Sequence, residues 1–222
     1  MEESRLIQNY YHRSRFTEDT RRDVLWKTLW HGFFRHRVPK NGCVLDLGAG
    51  YGQFINNVAA RRRIAIDSWP GFTIHLVPGV EGIIGDVADL SMIEDNAVDF
   101  AFASNLFEHL TQSHLTSTLS ALRKKLAPAG TLTILQPNYR YAFREYFDDY
   151  THLTVWSHTS LADFLVANGF EIVELLPRFL PLSIKSRLPV WSFLIRPYLA
   201  LPVKPFGKQM LVVARPRGQP LN

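Results

Sequence analysis

Residues 43–52, Cys43-Val44-Leu45-Asp46-Leu47-Gly48-Ala49-Gly50-Tyr51-Gly52, join an apolar strand pattern to a glycine-rich turn. Few architectures accept that junction. Glycines at 48, 50 and 52 permit positive φ and let backbone approach a ligand closely, and a helix pattern starting near 52 would turn free N–H groups toward bound polar atoms. A second apolar strand, Ile64-Ala65-Ile66, ends in Asp67, near the offset at which a carboxylate takes the hydroxyls of a ribose.

The pattern then repeats. Strands are expected at 43–47, 64–67, about 81–85, 97–103, 131–136, 170–176 and 209–214, with helices at about 52–60, 112–126 and 159–168. Pro128-Ala129-Gly130 and Asn168-Gly169 supply stops after the last two helices. Repeated βα units of this length predict an α/β fold: a Rossmann-like, doubly wound, seven-stranded and mostly parallel sheet with helices on both faces. Between Asp67 and the third strand, Ser68-Trp69-Pro70-Gly71 and Pro78-Gly79 leave room for at most two helical turns. Ahead of the sheet, Leu6, Tyr10 and Tyr11, then Val24, Leu25, Leu29, Trp30, Phe33 and Phe34, mark an N-terminal helical segment over 1–40. The organisation expected is that segment, a core over 41–176, a basic apolar insertion at 177–207, the last strand at 208–215 and a tail at 216–222.

A chain of 222 residues fills one core and has little left for a second. The single cysteine, Cys43, excludes an intrachain disulfide and a cysteine-based zinc cluster, and its place in the first strand suits a small apolar residue. The start of the sequence lacks a secretory pattern, so cytoplasmic residence is expected. Charge is segmented: residues 1–37 carry eight Lys/Arg against five Asp/Glu, residues 38–176 have net charge −6, and residues 177–222 carry eight bases and no acid. An acidic body gives no continuous footprint for nucleic acid, so nucleic acid is not expected as the substrate.

Read together, these strings resemble the class I S-adenosylmethionine-dependent methyltransferases, in particular their quinone-biosynthesis and small-molecule branch. The resemblance covers roughly residues 40–176 and the final strand. It implies S-adenosylmethionine as cofactor, with Val44–Gly52 lying along its methionine and ribose parts: Asp46 toward the ammonium, and Gly48, Ala49, Gly50 and Gly52 as the backbone cradle. It further implies Asp67 on the ribose diol, Asp86 and Val87 of Gly85-Asp86-Val87 at the adenine, and Asn105 of Ser104-Asn105-Leu106-Phe107 beside the transferable methyl. Leu126-Ala127-Pro128-Ala129-Gly130-Thr131-Leu132 matches the family's turn into the fifth strand, with Ala129 replacing its first glycine. The glycines alone would also suit a nicotinamide dinucleotide; Asp46 inside the end of the first strand argues against a dianionic ligand there. A non-catalytic cofactor-binding scaffold is the other alternative.

Methyl transfer from a sulfonium needs alignment of the nucleophile and somewhere for its proton to go. Asn105-Leu106-Phe107-Glu108-His109-Leu110 follows the fourth strand, where this architecture places its chemistry. A subset of the family binds a divalent metal through Glu-x-x-Glu-His and a later histidine. Asn105 stands at the first glutamate position here, which removes an anionic oxygen from a hard-cation site, and no metal is expected. His109 and His152 are instead the candidate proton handlers. Tyr139, Arg140 and Trp156, in the aromatic stretch after the fifth strand, are the candidate acceptor contacts, and Arg140 and Arg144 would suit an acidic or phosphate-bearing acceptor. Gln136-Pro137-Asn138-Tyr139 departs from the Asn/Asp-Pro-Pro-Tyr string of adenine and glutamine N-methyltransferases. An oxygen acceptor, small, lipid-linked or glycan-linked, is expected ahead of a nitrogen.

Residues 177–206 hold six prolines and five basic side chains without an acid. Arg187, Arg196 and the prolines keep every apolar run below the roughly 20 residues that a spanning helix needs. Short pieces that cover the pocket, meet another subunit or lie on an anionic membrane surface are the options left open. Oligomeric state is not legible.

Overall fold

The computed structural model describes residues 20–181 and 191–218. The expected apolar set at Leu6, Tyr10 and Tyr11 lies outside them, as do residues 182–190 and 219–222.

Seven strands form one sheet in the order β3-β2-β1-β4-β5-β7-β6. They are β1 (Cys43–Leu47), β2 (Arg62–Asp67), β3 (Glu81–Ile84), β4 (Val98–Ser104), β5 (Leu126–Pro137), β6 (Phe170–Leu180) and β7 (Gln209–Pro216). The first five run parallel, and β7 inserts antiparallel between β5 and β6. The order reverses at β1, which pairs with both β2 and β4, so a crevice opens beyond the carboxyl ends of those strands.

β1 is buried along its whole length because both faces of the sheet are covered. Alternation along the strands sorts the two layers. Leu45, Leu47, Ile64, Ile66, Ala101 and Ala103 pack against α2 (Gln112–Lys125) and α4 (His158–Ala167). Val44, Ala65, Phe100 and Phe102 pack on the other face against Leu29, Trp30 and Phe34 of the N-terminal segment. Phe54 stacks on Phe102 at 4.0 Å between ring centroids, and Phe34 meets the same ring edge-on. α1 (Thr20–Gly32) supplies Leu29 and Trp30, and α5 (Ser192–Ala200) docks beside it, with Leu199 against the side-chain-free surface of Gly32. A short α3 (Tyr139–Ala142), capped by the Asn138 side chain, follows β5.

Three expectations need correction. Residues 52–60 form turns and one 3-10 turn, Ile55–Asn57, rather than a helix. Gly52 sits at φ +66°, outside helical space, and Asn56 spends its amide on His75 O and Val77 N–H, tying the segment to the β2–β3 link. β5 begins at Leu126, directly after α2, and pairs Leu126 with Val98 before a register shift. β6 continues through Pro177 to Leu180, so the first four residues of the expected insertion are strand. The short β2–β3 link does match expectation: it holds a single 3-10 segment, Pro70–His75, with Phe72 buried.

Candidate active site

The turn after β1 is fixed by backbone. Gly48 and Ala49 both donate to Ile66 O at the end of β2, at 2.9 and 3.2 Å. Gly48 (φ +66°) must be glycine twice over, because a Cβ there would lie 2.8 Å from Leu106 Cδ1. Gly50 (φ +52°) differs: a Cβ built on it meets nothing within 4 Å. The backbone of Gly50 therefore faces open space, a cradle of the kind a ligand fills.

Asp67 closes the cradle. Its Oδ2 accepts the Gly50 N–H and its Oδ1 the Trp69 N–H, both at 2.8 Å. An ionised carboxylate has about four acceptor sites, so two stay available for the hydroxyls of a sugar. Asp46 lies behind, 2% exposed, with Oδ2 lacking any hydrogen-bond partner. Burial pushes its carboxyl well above the usual carboxylate range; the Ile55 N–H opposes that shift and the Asp67 charge adds to it. A buried acid with an orphaned oxygen beside the cradle is what an ammonium group would satisfy, so these residues fit S-adenosylmethionine.

Beyond β3, Asp86 Oδ1 accepts the Ala88 N–H at 2.8 Å and meets His114 Nε2 at 2.6 Å. Partial burial raises its pKa, but these two partners outweigh it and leave the carboxyl below its ordinary value. Val87 is buried in the core with Leu90 and Ile93. The strings between the landmarks hold side chains that were not singled out: Tyr51, Trp69 and His75 form an aromatic cluster around the turn, with centroids 4.5–5.7 Å apart. Tyr51 follows Gly50, and Trp69 follows Asp67 by two residues; aromatic type at those places was the available signal. His114, on α2, carried none.

The two acceptor-side clusters, distant in sequence, are one site. Leu153 and Thr154 N–H groups both bond Glu108 O, Thr154 Oγ1 bonds Leu110 O, and the Trp156 indole bonds Phe107 O. This stitching buries Trp156 to 2% in the core, so it backs the wall of the site instead of presenting a face for an acceptor. Tyr139 is half-buried against Tyr146 and Phe147, and Arg140 is exposed. Asn105 lies at the rim with φ +48° and accepts from Gln209 Nε2 at 3.0 Å.

Glu108, His109 and His152 converge, with one ligand atom from each lying within 4.8 Å of the other two. Glu108 is wholly buried and neither carboxylate oxygen has a hydrogen-bond partner; burial pushes its pKa up to about 8. Burial, aided by the neighbouring His152, pulls His109 down to about 4, so its imidazole is neutral at pH 7. His109 Nδ1 lies 3.2 Å from Thr151 O and 2.9 Å from Thr151 Oγ1, which in turn bonds Asp149. A carbonyl only accepts, so Nδ1 carries the proton and Nε2 the lone pair.

Comparison with known proteins accords with this geometry. A family model described as a methyltransferase domain matches residues 19–175. The chain belongs to the class I S-adenosylmethionine-dependent methyltransferases. No curated protein matches it. Among solved structures, a methyltransferase from Archaeoglobus fulgidus is 19% identical with a TM-score of 0.64, over 94% of this chain and 98% of that one. One from Thermotoga maritima is 16% identical at TM-score 0.67, over 95% and 96%. One from Clostridium acetobutylicum is 12% identical at 0.61, over 97% and 99%. These likenesses establish the shared fold. The methyltransferase is thus an enzyme whose cofactor is S-adenosylmethionine, and the dinucleotide and scaffold alternatives fall away. No particular branch of the family is indicated.

Proposed function

We propose that this methyltransferase methylates an oxygen, in preference to a nitrogen, of a small molecule that is free or linked to a lipid or glycan. The cofactor supplies an electrophilic methyl on a sulfonium. Asp46 receives its ammonium, Asp67 its sugar, and the Gly48–Gly52 backbone its length, while Asp86 stands at the adenine end. The observation that carries the oxygen assignment is the neutral His109, held by Thr151 with Nε2 as acceptor beside His152. A hydroxyl must lose its proton as it attacks, whereas a neutral amine attacks through its own lone pair, so a positioned base serves oxygen most. Tyr139 and Arg140 would border the acceptor on the β5 side.

The lipid-linked option draws support from α5. Its inner side, Ile195, Tyr198 and Leu199, is partly buried, while Phe193, Leu194 and Arg196 face outward beside exposed Trp191. Among the described residues no helix is long and apolar enough to cross a membrane. A cytoplasmic enzyme resting on an anionic surface fits this pattern.

The test pairs calorimetry with S-adenosylhomocysteine and label transfer to hydroxyl and amine acceptors. His109→Ala and His152→Ala should lower turnover of a hydroxyl acceptor by about 100-fold or more and leave product binding intact. Full activity of both variants on every accepted hydroxyl would defeat the assignment.

A further inference from the structure

We infer that Asp149, acting through the hydroxyl of Thr151, is a positioning residue that sets which nitrogen of His109 carries the proton. This rests on the reading above, in which an acceptor hydroxyl gives its proton to that imidazole.

The directions of the hydrogen bonds carry it. Thr151 Oγ1 lies 2.6 Å from Asp149 Oδ1 and 2.9 Å from His109 Nδ1. A hydroxyl has one proton and two lone pairs, so it donates to one of these neighbours and accepts from the other. A carboxylate only accepts, and roughly 2.5–2.7 Å is the span of a hydroxyl bonded to an ionised oxygen. The proton therefore goes to Asp149, and Oγ1 turns a lone pair toward Nδ1. Thr151 O, 3.2 Å from the same nitrogen, also only accepts. Two acceptors then share the Nδ1 proton. Without the carboxylate the hydroxyl is as able to donate to Nδ1 as to accept from it, and the longer carbonyl contact alone opposes the other tautomer. The difference matters for chemistry. The proton of an attacking hydroxyl reaches the ring at Nε2, directly or by way of His152, whose ring centroid is 4.8 Å away. An Nε2–H ring presents no lone pair to it on either route.

Charge and support act in the same sense. Burial and the neighbouring His152 make the His109 ring harder to protonate, and Asp149 opposes them. Glu108 is wholly buried, with its carboxyl pushed up to about 8, so it is mostly neutral at pH 7. Tyr146, whose ring meets His152 at 4.7 Å, spends its hydroxyl on Thr154 O. Asp149 is thus the carboxylate that faces the imidazolium as it forms. It is held in place for this. Its Oδ1 also accepts the Thr151 N–H at 3.0 Å, and its carbonyl the His152 N–H at 3.3 Å. Leu153 and Thr154 then anchor the following residues on Glu108 O. Carboxylate, hydroxyl and imidazole are therefore aligned before an acceptor arrives, which is the geometry a positioned base needs.

The experiment labels histidine with ¹⁵N in the full chain and reads the His109 tautomer at pH 7 from two-bond nitrogen–proton correlations, with His109→Gln assigning the signal. The unmodified chain should show the Nδ1–H form. Asp149→Ala should bring in the Nε2–H form and lower kcat on a hydroxyl acceptor by about 100-fold or more. Adding Thr151→Val to Asp149→Ala removes the hydroxyl that would donate, so the Nδ1–H form should return on the carbonyl alone. Asp149→Asn keeps an acceptor oxygen but not the charge; it should hold the tautomer and lower kcat about tenfold with KM little changed. Calorimetry with S-adenosylhomocysteine reports that each variant is folded. An Nε2–H ring in the unmodified chain overturns the proposal, as does an unmoved tautomer in folded Asp149→Ala. Should Asp149→Ala fail the folding control, Asp149→Asn decides, and an undiminished kcat there overturns the proposal. The tautomer is read without acceptor, so the two readings fail separately. A shift in Asp149→Ala with no hydroxyl methylated defeats the oxygen reading and leaves the positioning role, and hydroxyl methylation with an unmoved tautomer does the reverse.

Discussion

Asp67 holds the turn after β1, and the same carboxylate would serve the cofactor. Its two oxygens hold the Gly50 and Trp69 N–H groups and thereby set the curvature of the turn on which the sugar would rest. A hydrogen bond to a charged group contributes about 1.5–3 kcal/mol, so Asp67→Ala should weaken S-adenosylhomocysteine binding by roughly 10–100-fold. Asp67→Asn keeps one acceptor oxygen and should lose less; calorimetry that finds Asp67→Ala unchanged would refute the assignment. A second prediction concerns pH. Burial pushes the Glu108 carboxyl up to about 8 from an ordinary 4.5, so the native state keeps a proton that the unfolded chain has released. Its contribution to stability therefore falls as pH rises through that interval. His109 titrates near 4 against 6.5, so the unfolded chain binds the extra proton and stability rises between those values. The two slopes oppose each other up to pH 6.5; from there to 8 Glu108 continues, in the same direction as Asp46, whose carboxyl burial also raises. Melting temperature should decline over that upper window, and Glu108→Gln should flatten the decline; parallel curves for the two proteins would contradict the burial argument. Asp46 and Asp67 stood out in the sequence because one interrupts the end of an apolar strand and the other terminates the next. His109 and His152 were also singled out, but how closely they and Glu108 meet was not legible, because it depends on backbone bonds between segments far apart in the chain.

The glycine turn makes a sharper prediction when its positions are compared. Gly48 and Gly50 share positive φ, for which an alanine costs roughly 1–2 kcal/mol. A Cβ at Gly48 also strikes Leu106, whereas one at Gly50 enters open space. Gly48→Ala should therefore lower melting temperature further than Gly50→Ala, while Gly50→Ala should reduce S-adenosylhomocysteine affinity at least tenfold with a smaller loss of stability. Wild-type affinity in Gly50→Ala would mean that the ligand lies elsewhere. The central strands were readable as elements because parallel strands covered on both faces demand short apolar runs, and β1, β2 and β4 appear where such runs occur, whereas β3 is an edge strand largely exposed. The helix after β1 was misread because Phe54, Ile55 and Val58 mimic a helical face, although they reach the core from turns that Asn56 pins to His75 and Val77. The strand expected at 170–176 runs on through Pro177. That strand lies at the edge of the sheet, where a missing N–H leaves no neighbour unpaired, and its register with β7 shifts between Leu176 and Leu180.

At the level of the molecule, charge and apolar surface are separated by region. Residues 38–176, which hold the glycine turn and the Glu108–His109–His152 cluster, have net charge −6, while residues 177–222 carry eight bases and no acid. The same C-terminal region displays Trp191 and Phe193, stacked at 5.3 Å, together with Val203 and Phe206, which are 72% and 76% exposed. A helix apolar on both sides is ordinarily buried, yet no residue of α5 is. Its inner side is accounted for by α1, and its outer side calls for a cover that tolerates positive charge. A second copy would bring the same bases into contact, whereas an anionic lipid surface attracts them at about 1 kcal/mol per Lys or Arg near the surface and accepts the aromatic rings. The enzyme should therefore sediment with phosphatidylcholine vesicles containing phosphatidylserine, sediment less with pure phosphatidylcholine, and release as salt rises. Trp191→Ser with Phe193→Ser should reduce the bound fraction several-fold without altering S-adenosylhomocysteine affinity, because α5 packs on α1 and not on the turn after β1. Vesicle binding that ignores both lipid charge and these two rings, or a stable dimer broken by the same substitutions, would assign the face to another copy of the chain and remove the support for a lipid-linked acceptor.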